Sequence, residues 1–144
     1  MRISCESDGF LLIERREVSN DDVPIGVTVR CRGFTGRIET WILRTAWVEF
    51  CERLRLLEER RQGEASVESM SPKEFQLTVR STDQTGHMAI EGLLGYRGVH
   101  GETLLSFSPM AFDPSSLLCS WEQHGRSLAN MPLLARGSAH ESRR

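Results

Sequence analysis

Residues 45–63, "TAWVEFCERLRLLEERRQG", break a pattern that holds on either side of them. Trp47, Phe50, Cys51, Leu54 and Leu57 fall at i, i+3, i+4, i+7 and i+10, one stripe of a 3.6-residue period. The spacing predicts an amphipathic helix, with Thr45 placed as its N-cap and Gly63 as its stop. Glu49 and Arg53 stand one turn apart on the wet side, a pairing worth a few tenths of a kcal/mol.

Outside this stretch the period is two. "FLLIERREV" (10–18), "IGVTVRCRG" (25–33) and "TGRIETWI" (35–42) read as strands, with "SNDDVP" (19–24) as the turn between the first two. Val27, Val29 and Cys31 alternate inward against Thr28, Arg30 and Arg32, and Gly33 and Gly36 bracket a tight hairpin connection. Strands resume after Gly63 with "EASVESM" (64–70) and "EFQLTVRS" (74–81), whose inward set is Phe75, Leu77 and Val79. "DQTG" (83–86) turns into "HMAIEGLL" (87–94), with Met88 and Ile90 as core positions. "GYRGVHG" (95–101) reads as a glycine-rich turn before "ETLLSFSPM" (102–110). After "FDP" (112–114), the segment "SSLLCSWEQHG" (115–125) predicts a short second helix carrying Leu117, Leu118 and Trp121.

Short turns between strands imply antiparallel pairing. The expected class is therefore α+β: a curved antiparallel β-sheet with the long amphipathic helix packed on one face, and a short C-terminal helix. Residues 1–130 are expected to form one globular domain and residues 131–144 a polar, flexible tail.

The totals exclude several classes. A formal net charge of -2 is unlike a general nucleic-acid binder, which carries a basic stripe, and unlike a strongly acidic nucleic-acid mimic. No apolar run approaches the ~18 residues that span a bilayer. "MRISCESDGF" lacks the apolar core of a secretory signal, so a cytoplasmic location is expected. Cys5, Cys31, Cys51 and Cys119 form no C-x-x-C pair and read as small hydrophobes in a reducing compartment. His87, His100, His124 and His140 lack metal-ligand spacing, and no nucleophile elbow, zincin or P-loop motif is present. "GLLGYRG" (92–98) has glycines but no Lys-Ser/Thr, and reads as a hairpin turn rather than a phosphate loop. Neither cofactor nor metal is expected, and no residue reads as catalytic.

A binding surface is the remaining signal. If the inward residues face the helix, the opposite sheet face carries Arg37, Glu39 and Trp41 from "GRIETWI", and Glu68, Arg80, His87 and Glu91 from later strands. Trp and Arg are enriched at interface hot spots, and charges of both signs set orientation and partner choice. A tryptophan between charges is also compatible with a covered sheet edge, with packing under the C-terminal segment, or with burial by a second copy.

The order "GRIETW", amphipathic helix, "GEASVESM", "EFQLTV", "TGHMAIEG", "LLSF", "FDPSSL" resembles the WapI-type family of bacterial immunity proteins and a related group of small bacterial proteins. The pieces are Gly36–Trp41, Phe50–Leu57, Gly63–Ser69, Gly86–Gly92 and Asp113–Leu117, and the likeness covers roughly residues 25–125. The resemblance implies an antidote that neutralises a cognate toxin domain by stoichiometric binding, a role rather than a reaction; from charge and hydropathy, neither direct nucleic-acid contact nor a membrane is expected. A nuclease partner would bring a basic cleft to Glu39, Glu68 and Glu91. The competing expectation is a small-ligand or enzymatic site between sheet and helix, lined by His87, Glu91 or Cys51. Oligomeric state is left open.

Overall fold

A computed structural model describes residues 1–16, 22–115 and 117. Within them the chain forms β1 (Arg2–Ser4), β2 (Phe10–Arg15), β3 (Asp22–Cys31), β4 (Phe34–Leu43), α1 (Arg44–Arg60), β5 (Glu64–Glu68), β6 (Phe75–Ser81), β7 (Met88–Gly98) and β8 (Gly101–Phe112). The strands do not make one sheet. They make two antiparallel four-stranded meanders, β1-β2-β3-β4 and β5-β6-β7-β8, each in chain order. The helix is the divide, because β4 enters it directly and β5 leaves it after a three-residue connection. Alternation told which side chains turn inward, and these are indeed buried: Val27 and Val29 from one sheet, Phe75, Leu77, Val79, Met88 and Ile90 from the other. It carries no information on which strands share a sheet.

The two sheets enclose one hydrophobic cluster. Along β4, from its end to its start, three contacts reach the second sheet. The Trp41 carbonyl accepts from Met70 N–H at 2.9 Å, just past β5. The Thr40 hydroxyl donates to Glu74 Oε2 at 2.7 Å, just before β6. Gly36 lies against Leu94 of β7 and Leu105 of β8, where a Cβ would stand 2.7 Å from Leu105 Cδ2. So β4 passes over the strands of the second sheet in turn, and glycine permits the closest approach. At the far margin, the β1–β2 turn meets the end of β8 through Glu6 N–H to Ala111 O (2.9 Å) and a Cys5–Phe112 bridge.

Helix α1 closes the side left open. Its 17 residues span about 25 Å at 1.5 Å per residue. Trp47, Phe50, Cys51, Leu54 and Leu57 all face the core, as their spacing requires. The helix packs chiefly along β5, with lesser contacts to β3, β4 and β6, so it bridges the sheets rather than lying on one sheet's face. Thr45 is not its cap: the N-cap is Leu43, with no side-chain bond, because β4 runs straight into the first turn. At the other end Arg61 adopts the left-handed conformation (φ 56°) and its N–H bonds Leu57 O; Gly63 follows at φ +111°.

Two further expectations are corrected. Val23 and Pro24 belong to β3 rather than to a turn, since Val23 is fully buried opposite Ile42. Strand β7 continues through "GYRG" as far as Gly98, pairing Arg97 with Glu102 and Gly98 with Gly101, so only Val99 and His100 form the turn. The glycine run misled because Gly95 serves the strand: a Cβ there would lie 2.1 Å from Lys73 O. The expected second helix, 115–125, lies outside the described residues apart from Ser115 and the buried Leu117, and so does the 131–144 tail.

Candidate functional site

The outer face of the first sheet follows from burial of its inner one. Thr40 and Ile42 are buried, so Arg37, Glu39, Trp41 and Leu43 stand outward on β4. Register sets Trp41 opposite Pro24, Glu39 opposite Gly26 and Arg37 opposite Thr28. With no side chain at Gly26, the Arg16 guanidinium lies over it, 3.9 Å from where a Cβ would be, and reaches Glu39 Oε1 at 2.8 Å. Arg37 faces Glu14 of β2 at 3.9 Å. Both pairs are solvent-exposed and contribute little to stability. Their effect is to leave this face charged yet locally neutral.

Trp41 is 50% exposed, and so is Met70, whose N–H holds the Trp41 carbonyl; Leu43, one step along the same face, is 49% exposed. Met70 thus adjoins Trp41 through the backbone, and Leu43 follows Trp41 on the same strand face, where the sheets join. Leu43 shares Trp41's parity and is legible by extending the strand one residue. Met70 became a neighbour only through the packing of one sheet on the other.

The other expected site residues lie elsewhere. Glu68, Arg80 and Glu91 are on the outer face of the second sheet, turned away from β4's outer face by the shared core. Arg80 donates to Glu91 through Nε (3.1 Å) and Nη2 (3.5 Å), and Glu68 faces Gln76 at 3.5 Å. The seven residues therefore do not share one surface: the single open face was a consequence of assuming a single sheet. A double-mutant cycle on Arg80 and Glu91 is expected to return a coupling below about 1 kcal/mol in urea unfolding, since both side chains are more than a third exposed.

His87 belongs to a third place. In the loop before β7, Asp83 Oδ1 accepts from Thr85 N (2.9 Å), Thr85 Oγ1 (2.8 Å) and His87 N (3.2 Å), while Oδ2 meets His87 Nδ1 at 2.5 Å. The Thr85 hydroxyl, then His87, hold the Asp83 carboxyl well below the usual carboxylate range. A carboxyl depressed on folding adds stability above its unfolded pKa of about 3.9 and loses it as pH falls toward the folded value. Asp83→Asn is expected to lower the urea midpoint at pH 7, with the gap to wild type closing below about pH 4. An equal gap at both pH values would show the loop bonds to be indifferent to charge.

His87, Glu6, Arg61, Asp113 and Phe112 line a cleft of about 530 Å³ at the β8 end of the molecule. A second groove, of about 340 Å³, runs between α1 and β5–β6 with Glu49, Arg53, Ser66 and Glu68 on its walls. Of the residues expected in a sheet–helix pocket, neither cleft holds Glu91 or Cys51. Cys51 is buried in the core, where burial pushes its thiol up to about 12, away from nucleophilic use. Among the described residues no three His, Cys, Asp or Glu side chains converge as metal ligands. No helix among them is long and apolar enough to cross a membrane.

The class this geometry defines is a pair of packed antiparallel β-sheets closed by one helix, with exposed apolar residues on the outer surface. Comparison of the chain with family models, curated proteins and solved structures gives no match.

Proposed function

We propose that the chain is a stoichiometric protein-binding antidote of the immunity type, which docks a cognate toxin domain on the Trp41 margin. The observation that carries this reading is the trio of Trp41, Leu43 and Met70, each about half exposed on rigid backbone at the sheet junction. An aromatic and two flexible aliphatics, rimmed by the Arg16–Glu39 and Arg37–Glu14 pairs, have the make-up of an interface core and its polar rim. Strand and sheet fix the backbone before binding, which keeps the ordering cost of association low. Glu39 and Glu91 each face an arginine, which supports an apolar anchor with charge-paired surroundings more than imitation of a nucleic-acid backbone toward a nuclease.

Calorimetric titration against a catalytically dead toxin domain encoded beside the gene tests the reading. One-to-one binding of nanomolar strength is expected. Absence of heat with every such neighbour would sink it, and thermal-shift screening of small metabolites against the His87–Arg61 cleft would then test the ligand-binding alternative.

A further inference from the structure

We infer that the edge strand β8 pairs with β8 of a second copy, in antiparallel register about Leu104, to join two sandwiches through one continuous eight-stranded sheet.

Among the described residues β1 has three residues, β5 is lined by α1, and the ten-residue β4 bonds Met70 at Trp41 and packs Gly36 against Leu94 and Leu105 of the second sheet. β8 is 12 residues long, and among the described residues its only backbone partners beyond β7 are Cys5 and Glu6, at its last two positions. An open edge of this length is a template for another strand.

The strand itself marks where pairing starts and stops. Register passes from Ile90–Met110 to Gly92–Phe107, so β8 holds one extra residue at a bulge containing Ser108 and Pro109. The bulge ends regular geometry, and Pro109 has no N–H to give. Regular edge remains from Gly101 to Phe107, and its midpoint is Leu104.

Symmetry about Leu104 then sets each opposition: Leu104 against its own copy, Thr103 against Leu105, Glu102 against Ser106, and Gly101 against Phe107. Glu102 is the one ionisable group in β8, so this register places a carboxylate beside a hydroxyl and brings no like charges together. Leu104 is 52% exposed, and its neighbour within its own sheet is Gly95, which offers no side chain to pack on. A second Leu104 supplies the missing contact. The occupant that fits is therefore this same strand, reversed. A partner that reads Trp41 docks on the other sheet, so the two associations do not compete for residues.

Sedimentation equilibrium of the full chain at about 100 µM, well above a micromolar dissociation constant, is expected to give twice the 16.3 kDa chain mass. Leu104→Lys, which sets two ammonium groups face to face, should weaken association at least tenfold without moving the urea midpoint measured at concentrations where both proteins are monomeric. For a readout independent of that variant's folding, Leu104→Cys should oxidise to a covalent dimer faster than Ser108→Cys or wild type. A wild-type monomer at 100 µM would overturn the proposal. So would a dimer that survives Leu104→Lys and is lost in Trp41→Ala.

Discussion

Phe50→Ala is expected to lower the free energy of unfolding by about 3–5 kcal/mol, the usual cost of truncating a fully buried phenylalanine. Phe50 is 1% exposed, and its ring centroid lies 5.8 Å from that of Trp47 at a tilted angle. The position is sensitive because α1 closes the gap between the two sheets. Phe50 belongs to the one core cluster to which both sheets contribute, so a void there fills only if packed strands shift. Against a typical domain stability of 5–15 kcal/mol, such a loss leaves little reserve. Urea unfolding followed by circular dichroism measures it. A loss under about 1 kcal/mol would mean that α1 is not part of the core, and the reading of the helix as the closing element would go with it.

Trp41→Ala is expected to do the opposite: leave the unfolding midpoint near wild type and weaken the toxin complex by more than about 2 kcal/mol, or roughly thirtyfold. Half of Trp41 is already in water, and its backbone contact with Met70 does not depend on the side chain. The indole's removal therefore costs the free chain little packing, but it takes the largest anchor from the margin. Calorimetry of the variant complex, beside its denaturation curve, separates these effects. A loss of about 3 kcal/mol in the isolated chain would return Trp41 to the core and remove the proposed surface. Unchanged affinity in a soundly folded variant would move the interface elsewhere, with the second sheet's Arg80–Glu91 face next in line.

The helix was legible residue by residue because a 17-residue element samples its period several times, and all five of its stripe positions proved buried. The inward set of β6 was equally plain, since Phe75, Leu77 and Val79 alternate with Gln76 and Thr78 without interruption. β1 gave no signal: three residues cannot display a period, and Ile3 is its one buried position. The division into two sheets was hidden for a different reason. Gly36 looks like a turn residue in isolation, and its role appears only when Leu94 and Leu105 of the other sheet are seen pressing on it. That same division scattered the expected site. Arg37, Glu39 and Trp41 stayed together because they share a strand, whereas Glu68, Arg80 and Glu91 were assigned to their company by parity alone.

The chain-order meanders also bear on how fast the molecule assembles. Every described ladder joins strands that are consecutive in sequence, and among the described residues the Cys5–Phe112 bridge and the Glu6–Ala111 bond tie the distant ends together. Each half can therefore zip hairpin by hairpin with small loop-closure penalties, unlike sandwiches whose neighbours come from remote segments. The costly step is left to the docking of the two halves around α1. A substitution on the docking surfaces, such as Gly36→Val, should slow refolding, whereas one at the Val99–His100 tip should chiefly alter local opening. The division of labour between zipping and docking makes α1 the timekeeper of the fold as well as its closure.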